Sequence, residues 1–197
     1  GLKKNIKVYF KKRKVICAAS THYNEEKIVG KLHLELRKKY KNLITILIPR
    51  HIHRLNEIVE ELSKLNLKVA IRSNRKIPKN DCDIFIVNTY GEMSKFLRIS
   101  NISFIGGSLV NHGGQNPLEA VRMGNYVMHG NKIDNFKEIY RKLNSLKIST
   151  EVKNINQMIN VFKKKHNYKA SNNNLKKINY LGTKIFKNNI KEIKNYL

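Results

Sequence analysis

The chain has no tryptophan, three prolines and two cysteines, and only 14 of its 197 residues are acidic. Each shortage narrows the field. Cys17 and Cys82 lie in or beside apolar runs, without CxxC, CxxxC or Cys/His ligand spacing. A disulfide framework or zinc site therefore has no sequence support, and two reduced thiols of a cytosolic protein are expected, with no metal. No stretch approaches the roughly 20 consecutive apolar residues of a membrane span, and the basic amino terminus is not followed by the apolar core of a signal peptide. A soluble or peripheral protein is expected. The opening Gly1-Leu2 in place of Met is expected of a piece of a longer protein.

Against those 14 acids stand 40 lysines and arginines, a formal charge of +26. Such a field draws nucleic acid, anionic lipid or phosphorylated small molecules. The basic residues are spread along the whole chain and no RNP aromatic pattern or zinc-finger spacing accompanies them, so nucleic acid is not expected as a partner. The richness in Lys, Asn and Ile also fits a compositional bias of the source genome. With 197 residues and 41% apolar content, the chain is long enough for one sizeable domain with its own core.

The apolar runs 15–19, 43–48, 67–71, 83–87 and 102–105 are short, rich in Ile and Val, and nearly continuous, as strands buried on both faces are. Between them lie helical patterns: 25–39 with Ile28, Leu32 and Leu36 on one face, and 54–65 with Leu55, Ile58, Val59 and Leu62. Residues 126–129 are predicted as a further strand and 135–143 as a helix. Strands alternating with helices predict an α/β fold, a parallel sheet with helices on both faces. After about residue 150, segments 154–165 and 173–196 are Lys- and Asn-rich helical patterns joined by a predicted flexible connector at 168–174.

In such a sheet ligands bind outside the carboxyl ends of the strands, so the residues just after each run matter most. The first run ends Ala18-Ala19-Ser20-Thr21-His22 and leads to Asn24-Glu25-Glu26, where Thr21 or Asn24 serves either as a helix cap or as a ligand contact. The second ends Pro49-Arg50-His51, with His53 and Arg54 following. A guanidinium just past a strand end is placed to clamp a phosphate or carboxylate; the histidines are loop residues or further contacts. The fourth leads to Asn88-Thr89-Tyr90-Gly91-Glu92-Met93, where Gly91 either brings backbone amides to a ligand or makes a plain turn. The fifth opens Gly106-Gly107-Ser108-Leu109-Val110-Asn111-His112-Gly113-Gly114-Gln115-Asn116-Pro117-Leu118-Glu119. Its glycine pairs permit close backbone approach, Asn116 and Pro117 suit a helix start whose orphan amides face an anion, and Glu119 can accept from ribose hydroxyls. This text is neither GxGxxG nor a P-loop, so hydride transfer and ATP hydrolysis lose their usual support.

Taken together and in order, Ala18-Ala19-Ser20-Thr21-His22 with Glu25-Glu26, Pro49-Arg50-His51 with Arg54, Gly91-Glu92-Met93, Gly106-Gly107-Ser108-Leu109, Gly113-Gly114-Gln115-Asn116-Pro117-Leu118-Glu119 and Asn135-Phe136 resemble the carboxyl-terminal half of 3-deoxy-D-manno-octulosonic acid (Kdo) transferases. The resemblance covers about residues 15–143. It departs from the family at Gln115, where His is usual, at Met93, Asn111 and Tyr23-Asn24, and between Gly130 and Asn135. It implies a Rossmann-like half of a GT-B glycosyltransferase that binds CMP-Kdo and needs no cofactor, while a preceding domain carries the acceptor site and a glutamate base.

Pro49, Arg50, Gly91, Met93, Asn116 and Glu119 are then the expected CMP-Kdo contacts, with Arg50 and the helix opening at Asn116 toward phosphate and Glu119 toward ribose. Ser20, Gly107, Ser108, Gly113 and Gly114 are further donor-site positions. The implied domains are a linker or remnant of a preceding domain at 1–14, the nucleotide-sugar-binding domain at 15–150, and terminal helices at 151–197 that pack on it or reach toward a missing partner. The implied acceptor is a lipid A precursor, the implied setting the cytoplasmic face of the bacterial inner membrane with its anionic surface, and the isolated chain is expected to transfer nothing. A UDP-sugar transferase or epimerase, or a non-catalytic polyanion-binding module, are the competing readings.

Overall fold

The computed structural model describes residues 4–74, 78, 81–180 and 183. The chain runs α1 (Lys4–Lys11), β1 (Lys14–Thr21), α2 (Glu25–Lys39), β2 (Leu43–Pro49), α3 (Leu55–Ser63), β3 (Val69–Ile71) and β4 (Ile84–Ile86). It continues through α4 (Met93–Leu97), β5 (Ile102–Ile105), α5 (Leu118–Arg122), β6 (Tyr126–His129), α6 (Lys137–Ser145), β7 (Ser149–Glu151) and α7 (Ile155–Lys165). A further helical stretch covers 172–180. The strands form one sheet in the order β3-β4-β2-β1-β5-β6-β7, and every neighbouring pair is parallel.

The continuous apolar runs have their cause in two cores, one on each face of this sheet. Because side chains alternate along a strand, Ile16 and Ala18 of β1 face Val29, Leu32 and Leu36 of α2, Ile58 and Leu62 of α3, and Met158 and Phe162 of α7. Cys17 and Ala19 face the other way, toward Ile6 and Phe10 of α1, Phe96 and Leu97 of α4, and Tyr140 and Leu143 of α6. All seven residues of β2 are buried, which is why the strand shows no polar alternation. Both cysteines are free thiols in the interior.

The structure differs from the sequence expectation at both ends. Within segment 1–14, expected as a linker or remnant of a preceding domain, α1 buries Ile6 and Phe10, 3% and 2% exposed, in the core. β7 escaped notice because its Ser-Thr-Glu text is polar and only three residues long. α7 packs on the sheet, and Ile178 is buried in the α1 face. The rest of the predicted helix to 196 lies outside the described residues, save residue 183.

The strand edge where β2 and β4 begin is pinned by a polar network. His33 lies between the Thr45 hydroxyl (2.9 Å) and the Asp83 carboxylate (3.3 Å), and Asp83 also accepts from Arg37 (2.8 Å) and the Lys68 amide (2.9 Å). Burial alone would raise the Asp83 carboxyl, but hydrogen bonds from His33, Lys68 and Arg37 outweigh it and hold the group well below the usual carboxylate range. This network ties α2 to the sheet and leaves the opposite strand edge for ligand chemistry.

Candidate functional site

β1 has β2 on one side and β5 on the other, so the connections leaving β1 and β5 part company and open a crevice at the carboxyl edge of the sheet. β1 ends in a bulge: Ala19 pairs with Ile48 and Thr21 with Pro49, while Ser20 is skipped and takes a φ of 56°. A left-handed serine costs on the order of 1 kcal/mol. The bulge directs the Ser20 hydroxyl at the Met93 sulfur, 3.9 Å away, so two expected donor-site residues from distant parts of the chain meet. On the other flank, Thr21 accepts from the Arg50 amide at 2.9 Å, which fixes the backbone of Arg50 just beyond buried Pro49. The Arg50 side chain is exposed and has no ion-pair partner among the described residues.

The tightest construction is the seat of Glu25. This carboxylate is fully buried and accepts from four backbone amides: His22 at 2.9 Å, Gly107 at 2.7 Å, Ser108 at 3.1 Å and Leu109 at 3.0 Å. Burial outweighs the amides of Leu109, Gly107, His22 and Ser108 and leaves the carboxyl above its usual range. Four backbone donors define a seat that carboxyl oxygens fill.

The nest of amides after β5, a ready site for a ligand phosphate, is thus filled from within. Gly106 allows the fit, since a Cβ there would stand 2.4 Å from the Ser20 carbonyl oxygen and 2.7 Å from Glu25 Oε2. Ser108 is committed as well: its hydroxyl donates to Ile105 O (2.6 Å) and accepts from the Gly130 amide (2.8 Å). Gly107 and Ser108 therefore shape the loop and have no amide left for a donor phosphate.

Beside this seat four histidines gather. His22 stacks on His112 with centroids 4.1 Å apart and meets His51 edge-on at 5.3 Å, and His51 in turn lies 5.5 Å from His53. Gln115 Nε2 donates to His22 Nε2 at 3.2 Å, so the ring carries its proton on Nδ1. Gly107, with φ 65°, makes room for the His22 ring at 3.3 Å from where its Cβ would stand.

Burial, then His112, His51, Arg50 and Arg54, lower the His22 pKa from 6.5 to about 4. The unfolded chain therefore takes up this proton first, and stability is lost as pH falls from about 6.5 toward 4. Between pH 7 and 5 the wild-type chain is expected to lose about 1–2 kcal/mol more than a His22→Asn variant, measured by urea denaturation at each pH. An equal loss in both proteins would mean that His22 titrates normally.

The turn after β4 is braced from behind. Arg72 holds both Glu92 oxygens, at 2.8 and 3.0 Å, and Thr89 donates to the same carboxylate at 2.6 Å. The Arg72 hydrogen bond above all brings the Glu92 carboxyl down to about 2. Gly91 sits at the exposed crest of this turn with φ 70° and nothing within 4 Å of a Cβ position, and Met93 follows as the first residue of α4.

The β5 loop is held at its far end too. Tyr140 donates to the Gln115 carbonyl at 2.8 Å, Gly113 O accepts from the Asn135 amide at 3.0 Å, and Gly114 donates to Gly107 O at 2.8 Å. Asn116 Oδ1 accepts from the Leu118 amide at 3.0 Å, from one position ahead of the Pro117 N-cap of α5, and Asn116 is exposed. Glu119 is half-buried in the five-residue α5.

The geometry thus brings Ser20, Pro49, Arg50, Gly91, Met93, Gly113, Gly114, Asn116 and Glu119 to one edge of the sheet. The seat of Glu25 and the His22–His112 stack escaped the sequence reading. Glu25 had one readable signal, a glutamate reaching back three residues to a free amide, as in a capping box; the remaining three amides come from residues more than 80 positions away. Among the described residues, no three His, Cys, Asp or Glu side chains are grouped to hold a metal ion.

The seven-stranded parallel sheet with helices on both faces matches the carboxyl-terminal domain of a GT-B glycosyltransferase. No family model matches the chain. It is 40% identical over 131 residues to the 3-deoxy-D-manno-octulosonic acid transferase of Haemophilus influenzae, covering 66% of this chain and 31% of that protein. To the enzyme of the same name from Rickettsia felis it is 31% identical over 188 residues, 94% of this chain and 39% of that protein. Among solved structures, the C-terminal CMP-Kdo binding domain of WaaA from Acinetobacter baumannii matches with a TM-score of 0.74 and 26% identity, over 78% of this chain and 80% of that one. The chain is related to the Kdo transferases and corresponds to their carboxyl-terminal domain. It spans about a third of the length of the curated relatives it matches.

Proposed function

We propose that this domain binds CMP-Kdo and forms the donor half of a Kdo transferase in lipopolysaccharide synthesis. The observation that carries the reading is the exposed guanidinium of Arg50, without an ion-pair partner among the described residues, just past the carboxyl end of β2 beside β1, on the same edge of the sheet as Ser20, Met93 and the loop leading to Asn116 and Glu119. Arg50 and the Asn116 amide engage the CMP phosphate, Glu119 accepts from the ribose, and Gly91 and Met93 wall the nucleotide. The acceptor hydroxyl of a lipid A precursor attacks the anomeric carbon of Kdo, the bond to the CMP phosphate breaks, and a base on a further domain takes the proton. Arg50 then stabilises the charge that grows on the departing phosphate.

On this reading the reaction takes place at the cytoplasmic face of the inner membrane, and the present chain binds nucleotide without transferring sugar. Among the described residues, no helix is long and apolar enough to cross a membrane.

Calorimetric titration with CMP, UMP and AMP tests the reading. CMP is expected to bind at least about tenfold more tightly than the other two, a difference of roughly 1.4 kcal/mol, and Glu119→Ala is expected to weaken it. Equal and strongly salt-dependent binding of all three would replace this reading with general polyanion binding.

A further inference from the structure

Away from the donor crevice, a cleft of about 650 Å³ runs between α1 and α4. Its floor is apolar, with Phe10 buried against Phe85 and Phe96 and Ile99 half-buried beside it. Its rim is cationic on both walls: Lys7 and Lys11, one turn apart on α1, face Lys95 and Arg98 from α4 and its end. Among the described residues, no acidic side chain lines it. Lys95 is partly countered by Glu92 at 3.4 Å, whereas Lys7, Lys11 and Arg98 have no carboxylate partner among the described residues.

On the opposite flank of α1, Lys12, Arg13 and Lys41 line a second cleft with Val8, which stands 50% exposed. A free anion has no use for an apolar floor, and an uncharged acyl chain has none for four cations. The pairing of the two, on a helix that also exposes an apolar side chain, matches an anionic amphiphile at an interface.

We propose that the α1/α4 cleft is a binding site for a phosphate-bearing membrane lipid, with the phosphate held by Lys7, Lys11, Lys95 and Arg98 and the start of an acyl chain laid on Phe10 and Ile99. The proposal rests on no part of the donor reading, since none of these residues belongs to the donor crevice. It assigns the chain's positive charge a particular place of action on the α1 side of the sheet.

The test is titration of the chain with dihexanoylphosphatidic acid kept below its micelle concentration, alongside dihexanoylphosphatidylcholine and inorganic phosphate. The phosphatidic acid is expected to bind at least about tenfold more tightly than either control, and the Lys7→Glu/Lys11→Glu variant to lose about tenfold or more. A Lys163→Glu/Lys164→Glu variant on α7, which carries the same change in net charge on the other face, is expected to bind as the wild type does. If both double variants lose affinity alike, the attraction is general and the cleft is not a site. If inorganic phosphate binds as tightly as the lipid, the apolar floor contributes nothing and the lipid assignment falls. CMP affinity, unchanged in the Lys7→Glu/Lys11→Glu protein, reports separately on the donor crevice.

Discussion

Replacing Glu25 by alanine is expected to lower folding stability by about 3–5 kcal/mol, among the largest effects a single substitution has. The carboxylate answers four amides at once, and alanine would leave four donors facing a small buried void with no acceptor. Glu25→Gln keeps one oxygen of the same size but sets an NH2 against amides that also donate, so about half of that loss is expected. Urea denaturation of the three proteins measures the series, and CMP titration in the absence of denaturant follows it, because the seat holds the β5 loop beside His22 and Gln115. A Glu25→Ala protein of wild-type stability would show that water replaces the carboxylate without cost, and that the seat is an ordinary wet loop.

The second large effect concerns Arg50. Arg50→Ala is expected to weaken CMP binding by about 10–100-fold, the loss of a charge-assisted contact worth about 1.5–3 kcal/mol. In an enzyme that carries both domains, turnover is expected to fall by about a hundredfold or more. Folding stability should change by less than about 0.5 kcal/mol, since the exposed guanidinium holds no ion-pair partner among the described residues. Arg54, four residues on, supplies the contrast. It bridges Glu57 at 3.1 Å and buried Glu26 at 3.3 Å and lies over the Tyr23 ring at 5.2 Å, so Arg54→Ala strands a buried carboxylate and its loss falls on folding. Unchanged CMP affinity in Arg50→Ala would remove that residue from the donor site and leave the nucleotide to the α5 side of the crevice.

The two arginines show where the sequence stops being informative. Both are cations just past the end of β2, and nothing in Pro49-Arg50-His51-Ile52-His53-Arg54 separates a ligand-facing guanidinium from one that neutralises an internal acid. The difference arises because Glu26, at the start of the preceding helix α2, is carried under Arg54 and not under Arg50. Gly107 and Ser108 follow the same logic: glycine-rich text after a strand reads as a phosphate cradle, and in three dimensions the cradle already holds Glu25. Gly113, Gly114 and Asn116 come later in the same loop and Glu119 in α5; the Gly114 amide is committed too, to Gly107 O at 2.8 Å.

By itself the sequence determined the layered parallel sheet, because strands covered on both faces must be apolar at every position and the helices between them must carry a stripe. It also determined which strand ends bear polar, glycine-rich loops, and through them the family. Only the tertiary structure decided that the amino-terminal segment belongs to the core, that Glu25 fills the amide nest, and that the cations of α1 and α4 share one apolar-floored cleft. Each of these joins residues far apart in the chain, and local text records what a residue can do without recording which distant partner will occupy it.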